Sequence, residues 1–456
     1  MKRKRITAFL AVLFMMAAVC LPAGTVMAAE SGTCGKDAKW KLSGTTLTVS
    51  GTGAMTDYES VWDTPWIDSA SRISKIVIGD GITRVGSYSF FADTGSAQTF
   101  VSLRTLKLGN TVVSIGPDAF TGAGFTSVEF PASLKKIGNE AFMKTSLRSV
   151  DCSGLEYIGA RAFAECDDMS GSVTIGPAVE KNLDTAFFGT PVSGFDISGS
   201  NPKYSSLDGV LYNKAQTALI QFPEGKTAST FTVPATVTTV GERAFCNAVN
   251  ISTLVFPDNV KTIKSGALPS PNASIPYGKT VALKKVFFGK GLKNLAVNIF
   301  VPTSEVDGCY TAYFTGNMPA KIGEGADYWG WTAPVGPGSV RICIPKGNAT
   351  WDGSGYVNTW FGRPAVQAPV NSAAGTAAVA FGKSSGATGY QVEYSSSSTF
   401  EKSRKITLKD SSARSAEITG LKKGRTYYIR VRAYKKAGTA TFFTNWSPKK
   451  TVKITK

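Results

Sequence analysis

The sequence predicts a mainly β chain, an irregular solenoid of short coils followed by a small β-sandwich. Three observations carry that prediction. One phrase recurs along the chain, and "FTSVEFPASLKKIGNEAF" at 125–142 is a full copy of it. The recurrence stops near Pro364, where strands of another vocabulary begin. Charge divides at the same place: residues 30–363 hold 29 Lys or Arg against 28 acids, and residues 364–456 hold 17 against 4.

The first segment, 1–29, reads as a secretory signal peptide. Lys2, Arg3, Lys4 and Arg5 precede an apolar run from Ala8 to Leu21, and small residues allow cleavage after Ala28 or Ala29. Cys20 lies inside that run, and Val19 before it is a poor fit to a lipidation signal. No later apolar run is long enough to cross a bilayer, so no transmembrane segment is expected. Residues 30–72 follow as an N-terminal β cap. Lys39 to Leu42 and Thr46 to Val49 alternate apolar and polar side chains, as a hairpin with one covered face requires.

Residues 73–300 carry the repeat. Aligned copies place Phe90, Phe120, Phe142, Phe163, Phe187 and Phe245 in one column, with Leu268 and Phe300 as degenerate members. Most steps are about 21 to 32 residues, a period that marks a solenoid. An Ile-Gly or Val-Gly pair precedes each Phe, as in Ile137-Gly138, and Ala usually stands just before it. Ser127-Val128-Glu129-Phe130 reads as a short strand with Val128 and Phe130 inward. The Ala-Phe pair is expected in a helical turn, with Phe as structural core. No copy can close a core alone, so neighbours must stack.

These phrases resemble the BspA-type leucine-rich repeats of bacterial surface proteins, whose wording is close to "L-x-x-V-x-I-P-x-S-V-x-x-I-G-x-x-A-F". The segment near 201–234 resembles a hairpin of that family. It reads as strands Gly209 to Tyr212 and Ala218 to Phe222 joined across Asn213-Lys214. Asn182-Leu183 replaces the Ile-Gly pair in one copy and Lys264 replaces the Gly in another, so irregular coils are expected there. Residues 301–363 are read as the C-terminal cap of the solenoid, with strands in "TAYFTGNMPAKIG" and "SVRICIPKGNATW".

Residues 364–456 resemble a fibronectin type III domain. Leu421, Gly424 and Tyr427 match the turn before that family's sixth strand, and Phe381 stands where a core Trp is usual. Alternation puts Tyr427, Ile429, Val431 and Ala433 inside and Tyr428, Arg430, Arg432 and Tyr434 outside. Lys422, Lys423 and Arg425 precede this strand, Lys435 and Lys436 follow it, and Lys453 lies outward on the adjoining last strand. Together they form a candidate polyanion-binding face, for a wall polymer or acidic glycan. DNA would bind such a face only non-specifically, so no specific nucleic acid is expected. The other reading is a cationic surface kept for solubility, with Glu393 pairing one Arg.

The chain has no histidine. That removes Ser-His-Asp and Cys-His catalysis and His-ligated zinc. No phosphate loop or paired-Cys motif is present, so no catalytic residue, cofactor or metal is expected. Of the cysteines beyond the signal peptide, Cys152, Cys166 and Cys246 occupy repeat positions suited to buried thiols. Cys309 and Cys343 flank one segment and are the first candidates for a disulfide. Tyr328, Trp329 and Trp331 in "ADYWGW" are read either as a cap on the core or as a glycan or peptide platform. Trp40, Trp62 and Trp66 are expected in the core.

The resemblance implies a secreted or cell-surface bacterial adhesion protein that is not an enzyme. It would recognise an extracellular protein or glycan through the solenoid surface, and its basic module would dock to an anionic wall polymer or glycan. A carbohydrate-recognition accessory using the aromatic cluster is the alternative. A covalent wall-anchor motif and a hydrophobic C-terminal tail are not found, so attachment is expected to be non-covalent or absent.

Overall fold

The computed structural model describes residues 30–93, 95–96, 99–269, 281–296, 310–322, 340–352 and 359–456. The predicted signal peptide, Phe300, Cys309, Tyr328, Trp329 and Trp331 lie outside those residues. The chain is a β-solenoid with a β-sandwich at its C-terminal end.

The coils build two parallel walls. On the first wall Lys75–Ile78 pairs with Thr105–Lys107, burying Ile76, Ile78 and Leu106. On the second, Ile82–Val85, Ser114–Ile115, Lys136–Ile137 and Tyr157–Ile158 pair in turn, burying Val85, Ile115, Ile137 and Ile158. The cap strand Thr46–Ala54 starts both walls, pairing with Lys75–Ile78 and then with Ile82–Val85. Its other edge continues the antiparallel cap through Asp37–Ser43 and Glu30–Thr33.

The Ile-Gly pair sets how closely coils approach. Gly138 and Gly159 donate their amides to Ile115 and Ile137 of the preceding coil at 2.9 Å. A Cβ on Gly138 would sit 2.4 Å from the Pro117 nitrogen, so a side chain would push the coils apart. In the departing copy, the Asn182 amide group donates to the Ile158 carbonyl at 2.9 Å, which keeps a cross-coil bond, and Leu183 is buried.

The Ala-Phe pair does not sit in a helical turn. Tyr88, Asp118, Glu140, Arg161 and Arg243 adopt positive φ of 52 to 57° two residues before Phe. This reversal turns the following amides along the stack. Phe90 donates to Ala119, Phe120 to Ala141 and Phe142 to Ala162, each at 2.9 Å. A helix would have spent those donors inside one coil. Among the described residues, helix is confined to 3-10 turns at Val61–Asp63, Ile67–Arg72 and Ala349–Trp351.

The recurrent phenylalanines form a ladder of rings. Trp66 stacks on Phe90 at 5.2 Å, and Phe90, Phe120, Phe142 and Phe163 continue at 5.4 Å steps to Phe187 at 5.2 Å. The five phenylalanines are fully buried, each contributing about 1.5–3 kcal/mol by burial. Beyond the hairpin Phe222 meets Phe245 at 5.4 Å, and a second run joins Phe256, Phe288 and Phe314 to Trp351. Trp40 and Trp66 are buried as expected. Trp62 is 49 % exposed, since the 3-10 turn Val61–Asp63 buries Val61 instead.

The strand expected at Ser127 to Phe130 does not form. Val128 and Phe130 face the core and Ser127 and Glu129 face solvent, yet no ladder runs through the segment, and the neighbouring coil meets its start through the Arg148 amide on the Thr126 carbonyl at 3.1 Å. The first wall resumes with Asp151–Cys152, Ser172–Ile175 and Gly194–Ile197. The hairpin is a meander of Tyr204–Leu207, Val210–Asn213 and Ala218–Gln221. Asp208 and Gly209 turn it with φ of 50° and 76°, the paired positive values of a tight hairpin turn. Ala218–Gln221 then pairs in parallel with Thr239–Val240, re-entering the second wall.

The sandwich packs Val370–Ala373, Thr376–Ala380 and Ser415–Ile418 against a sheet of Arg404–Leu408, Gly389–Ser395, Thr426–Ala437, Ala440–Phe443 and Lys450–Lys453. Ile429, Val431 and Ala433 are fully buried, and Phe381 packs on Tyr390 at 4.8 Å. The Tyr427 hydroxyl accepts the Lys422 amide at 3.1 Å, as a corner tyrosine does. Cys152, Cys166 and Cys246 are buried thiols. Cys343 is also a buried thiol and not half of a disulfide, its side chain lying under the sandwich.

Candidate functional site

The outward rows of the first wall change character along the solenoid. Early on, Thr48, Val77 and Lys107 share one register, and Asp151, Thr174 and Asp196 share another. Lys107, Asp151, Thr174 and Asp196 are exposed. After the hairpin the register runs Thr232, Val255, Phe287, Tyr313 and Cys343. There Val255, Phe287 and Cys343 are at most 8 % exposed.

The sandwich is what buries them. Phe442 lies against Phe287 at 6.2 Å, while Trp360 meets Phe287 at 6.0 Å and Tyr313 at 4.6 Å. The Trp360 indole donates to the Phe314 carbonyl at 2.7 Å, and the Thr439 amide donates to the Thr232 hydroxyl at 3.2 Å. One half of the outward face is therefore closed and the other half is open.

On the sandwich, the predicted outward stripe exists, but its arginines are occupied. Phe400, Arg430, Trp446, Arg432 and Phe443 alternate as ring and cation. The guanidinium of Arg430 sits 4.0 Å from Phe400 and 4.8 Å from Trp446, and that of Arg432 sits 4.4 Å from Trp446 and 3.8 Å from Phe443. Arg430 also donates to Glu393 at 2.6 Å, and Arg432 donates to Gln391 at 2.7 Å. Glu393 is 4 % exposed. Its burial alone would raise the carboxyl pKa. Hydrogen bonds from Ser403 and Arg430, with the charges of Arg430 and Lys405, outweigh that and hold it below the usual range.

The remaining cations divide. Lys422, Lys423, Arg425, Lys436 and Lys453 are exposed. Lys435 belongs to the inward register with Ala433 and pairs with Phe442, so it faces the solenoid instead of the Arg430 face. Tyr428 is half-buried on the outer face with the Lys449 ammonium 5.6 Å from its ring, and Tyr434 is buried against Phe443. Trp446, Phe400, Phe443 and Gln391 went unrecognised in the sequence. Phe443 pairs with Tyr434, so an outward aromatic beside an outward arginine stripe was the available signal.

The repeat geometry has a counterpart in known families. The BspA type leucine rich repeat region matches in 6 copies over residues 96–206 and 221–303, and the fibronectin type III domain matches over residues 370–449. This is a BspA-type leucine-rich-repeat chain with a C-terminal fibronectin type III domain. The interval that the repeat model leaves out coincides with the hairpin meander. Solved structures similar to this BspA-type chain include a leucine-rich repeat protein from Eubacterium ventriosum, 22% identical, covering 66% of this chain and 97% of that one at a TM-score of 0.45. The pneumococcal vaccine antigen PcpA is 17% identical, covering 72% and 97% at 0.39. A leucine rich cell surface protein from Faecalibacterium prausnitzii is 16% identical, covering 60% and 90% at 0.31. No curated protein matches the chain. Leucine-rich repeats of this type and fibronectin type III domains are typically non-catalytic binding folds. Among the described residues no helix is long and apolar enough to cross a membrane.

Proposed function

We propose that this chain is a secreted, non-enzymatic binding protein of the bacterial surface. It holds an extracellular protein or glycan on the open half of the first wall. Its fibronectin type III domain docks to an anionic wall polymer or glycan through exposed Lys422, Lys423, Arg425, Lys436 and Lys453. The observation that supports this is the division of the outward face. Apolar side chains line the register where the domain covers it, whereas Lys107, Asp151, Thr174 and Asp196 occupy the part left open. A mixed polar row on rigid parallel strands suits contact with a partner, with charge setting specificity.

The test is a pull-down from host mucus and bacterial wall fractions. Lys107→Glu combined with Asp151→Lys and Asp196→Lys should lose the captured partner with unchanged melting. Capture equal to the parent counts against the open row. Separately, Lys422→Glu with Lys423→Glu and Arg425→Glu should lower retention on anionic wall at low salt, and unchanged retention counts against the basic module.

A further inference from the structure

Where the domain meets the solenoid, cations gather on facing strands. Thr253, Lys285, Thr311 and Arg341 stand side by side on successive strands of the first wall, facing outward. Adjacent strands lie about 4.8 Å apart, so the four side chains form a row of hydroxyls and cations. The Phe287–Phe442 contact fixes what lies opposite, because Phe442 pairs with Lys435 and Phe287 is two residues from Lys285. Lys435 is half-buried, and among the described residues neither it nor Lys285 nor Arg341 forms an ion pair. Burial first, then the Lys285 charge, lowers the Lys435 pKa.

A partly desolvated ammonium facing another ammonium costs free energy that an apolar side chain would avoid. The neighbouring inward positions on this strand, Val431 and Ala433, are apolar.

We infer that the junction is a binding site for a tetrahedral oxyanion, a phosphate or sulfate group carried by an extracellular polymer, held by Lys285, Lys435 and Arg341 with the Thr253 and Thr311 hydroxyls. Ammonium and guanidinium groups supply charge-assisted donors, and the threonines supply neutral ones. The inference rests on the reading of the C-terminal module as the anion-holding part. It adds to the exposed cations of that module a specific contact in the seam beneath the domain.

Inorganic phosphate is the first probe, titrated against the full chain at constant ionic strength with melting as readout. The parent should be stabilised by phosphate beyond an equal ionic strength of chloride. Lys285→Met with Lys435→Met should weaken phosphate binding by about tenfold or more, since two charge-assisted donors are lost. In chloride the same variant should melt no lower than the parent, because a like-charge contact is gone. An equal phosphate response in parent and variant overturns the site. Retention on immobilised poly(glycerol phosphate) but not heparin assigns the group to a wall phosphodiester, and the reverse assigns it to a sulfated glycan. Parent retention on neither, or undiminished variant retention on both, contradicts the inference. Because Lys422, Lys423 and Arg425 are untouched, this failure is distinct from failure of the exposed basic surface.

Discussion

Phe287 of the solenoid and Phe442 of the fibronectin type III domain lie with ring centroids 6.2 Å apart and planes 19° from parallel. Both are buried, and they join the domain's core to the outward row of the first wall. The contact should show as coupling. In a double-mutant cycle, Phe287→Ala and Phe442→Ala should each cost about 3 kcal/mol, with an interaction energy of about 1 kcal/mol. Denaturant unfolding measures it. Additive losses would mean the two modules do not sense each other.

The ring ladder makes each phenylalanine a shared part of adjoining coils. Phe142 touches Phe120 and Phe163, both at 5.4 Å. Phe142→Ala should cost about 4 kcal/mol, and Phe142→Leu about 1.5 kcal/mol. Exposed Trp62→Ala should fall within about 0.5 kcal/mol of the parent. Equal losses at positions 142 and 62 would contradict the stack as the source of stability.

Trp446 separates two guanidinium groups and engages both. Trp446→Ala should lower stability by about 2 kcal/mol through two lost cation–π contacts. It should also raise low-salt retention on anionic matrices, because Arg430 and Arg432 become freer to bind them. A variant that loses retention would show that the stack itself is the anion site.

Glu393 sets an acid sensitivity. Its folded pKa is depressed, so its contribution to stability is present above the ordinary carboxylate range and is lost as pH falls through the folded value. Glu393→Gln should therefore flatten stability against pH on the acid side, measured by denaturant midpoints at successive pH values. A parent and variant falling in parallel would rule out this linkage.

Much of the solenoid was legible because its chemistry repeats. The phenylalanine column, the inward Val128 and Phe130 and the Asn182 departure follow from spacing and alternation, and the corner Tyr427 from the resemblance to fibronectin type III domains. The left-handed turn before Phe was not, since Tyr88, Asp118, Glu140 and Arg161 have no common side-chain character to betray it. Nor was the Arg430–Trp446–Arg432 stack, which joins residues on different segments. The docking seam did leave a trace. Leu254-Val255-Phe256 and Val286-Phe287-Phe288 are unbroken apolar runs, the mark of a strand covered on both faces, where Leu106-Lys107-Leu108, Val173-Thr174-Ile175 and Phe195-Asp196-Ile197 alternate, although Ile76-Val77-Ile78 in the first coil is also unbroken. The Lys435 misplacement has the same root, because the strand runs past the sandwich onto the solenoid.

Photo-crosslinking along the open row would put the proposed contact face to its sharpest trial. A photoreactive amino acid is placed at position 107, 151 or 174, or at position 136 or 157 on the second wall, and each protein is exposed to host mucus or wall fractions. Adducts to one partner from 107, 151 and 174, with none from 136 and 157, are expected of a scaffold that binds through its first wall. Adducts confined to the second wall, or absent from the first, would contradict it.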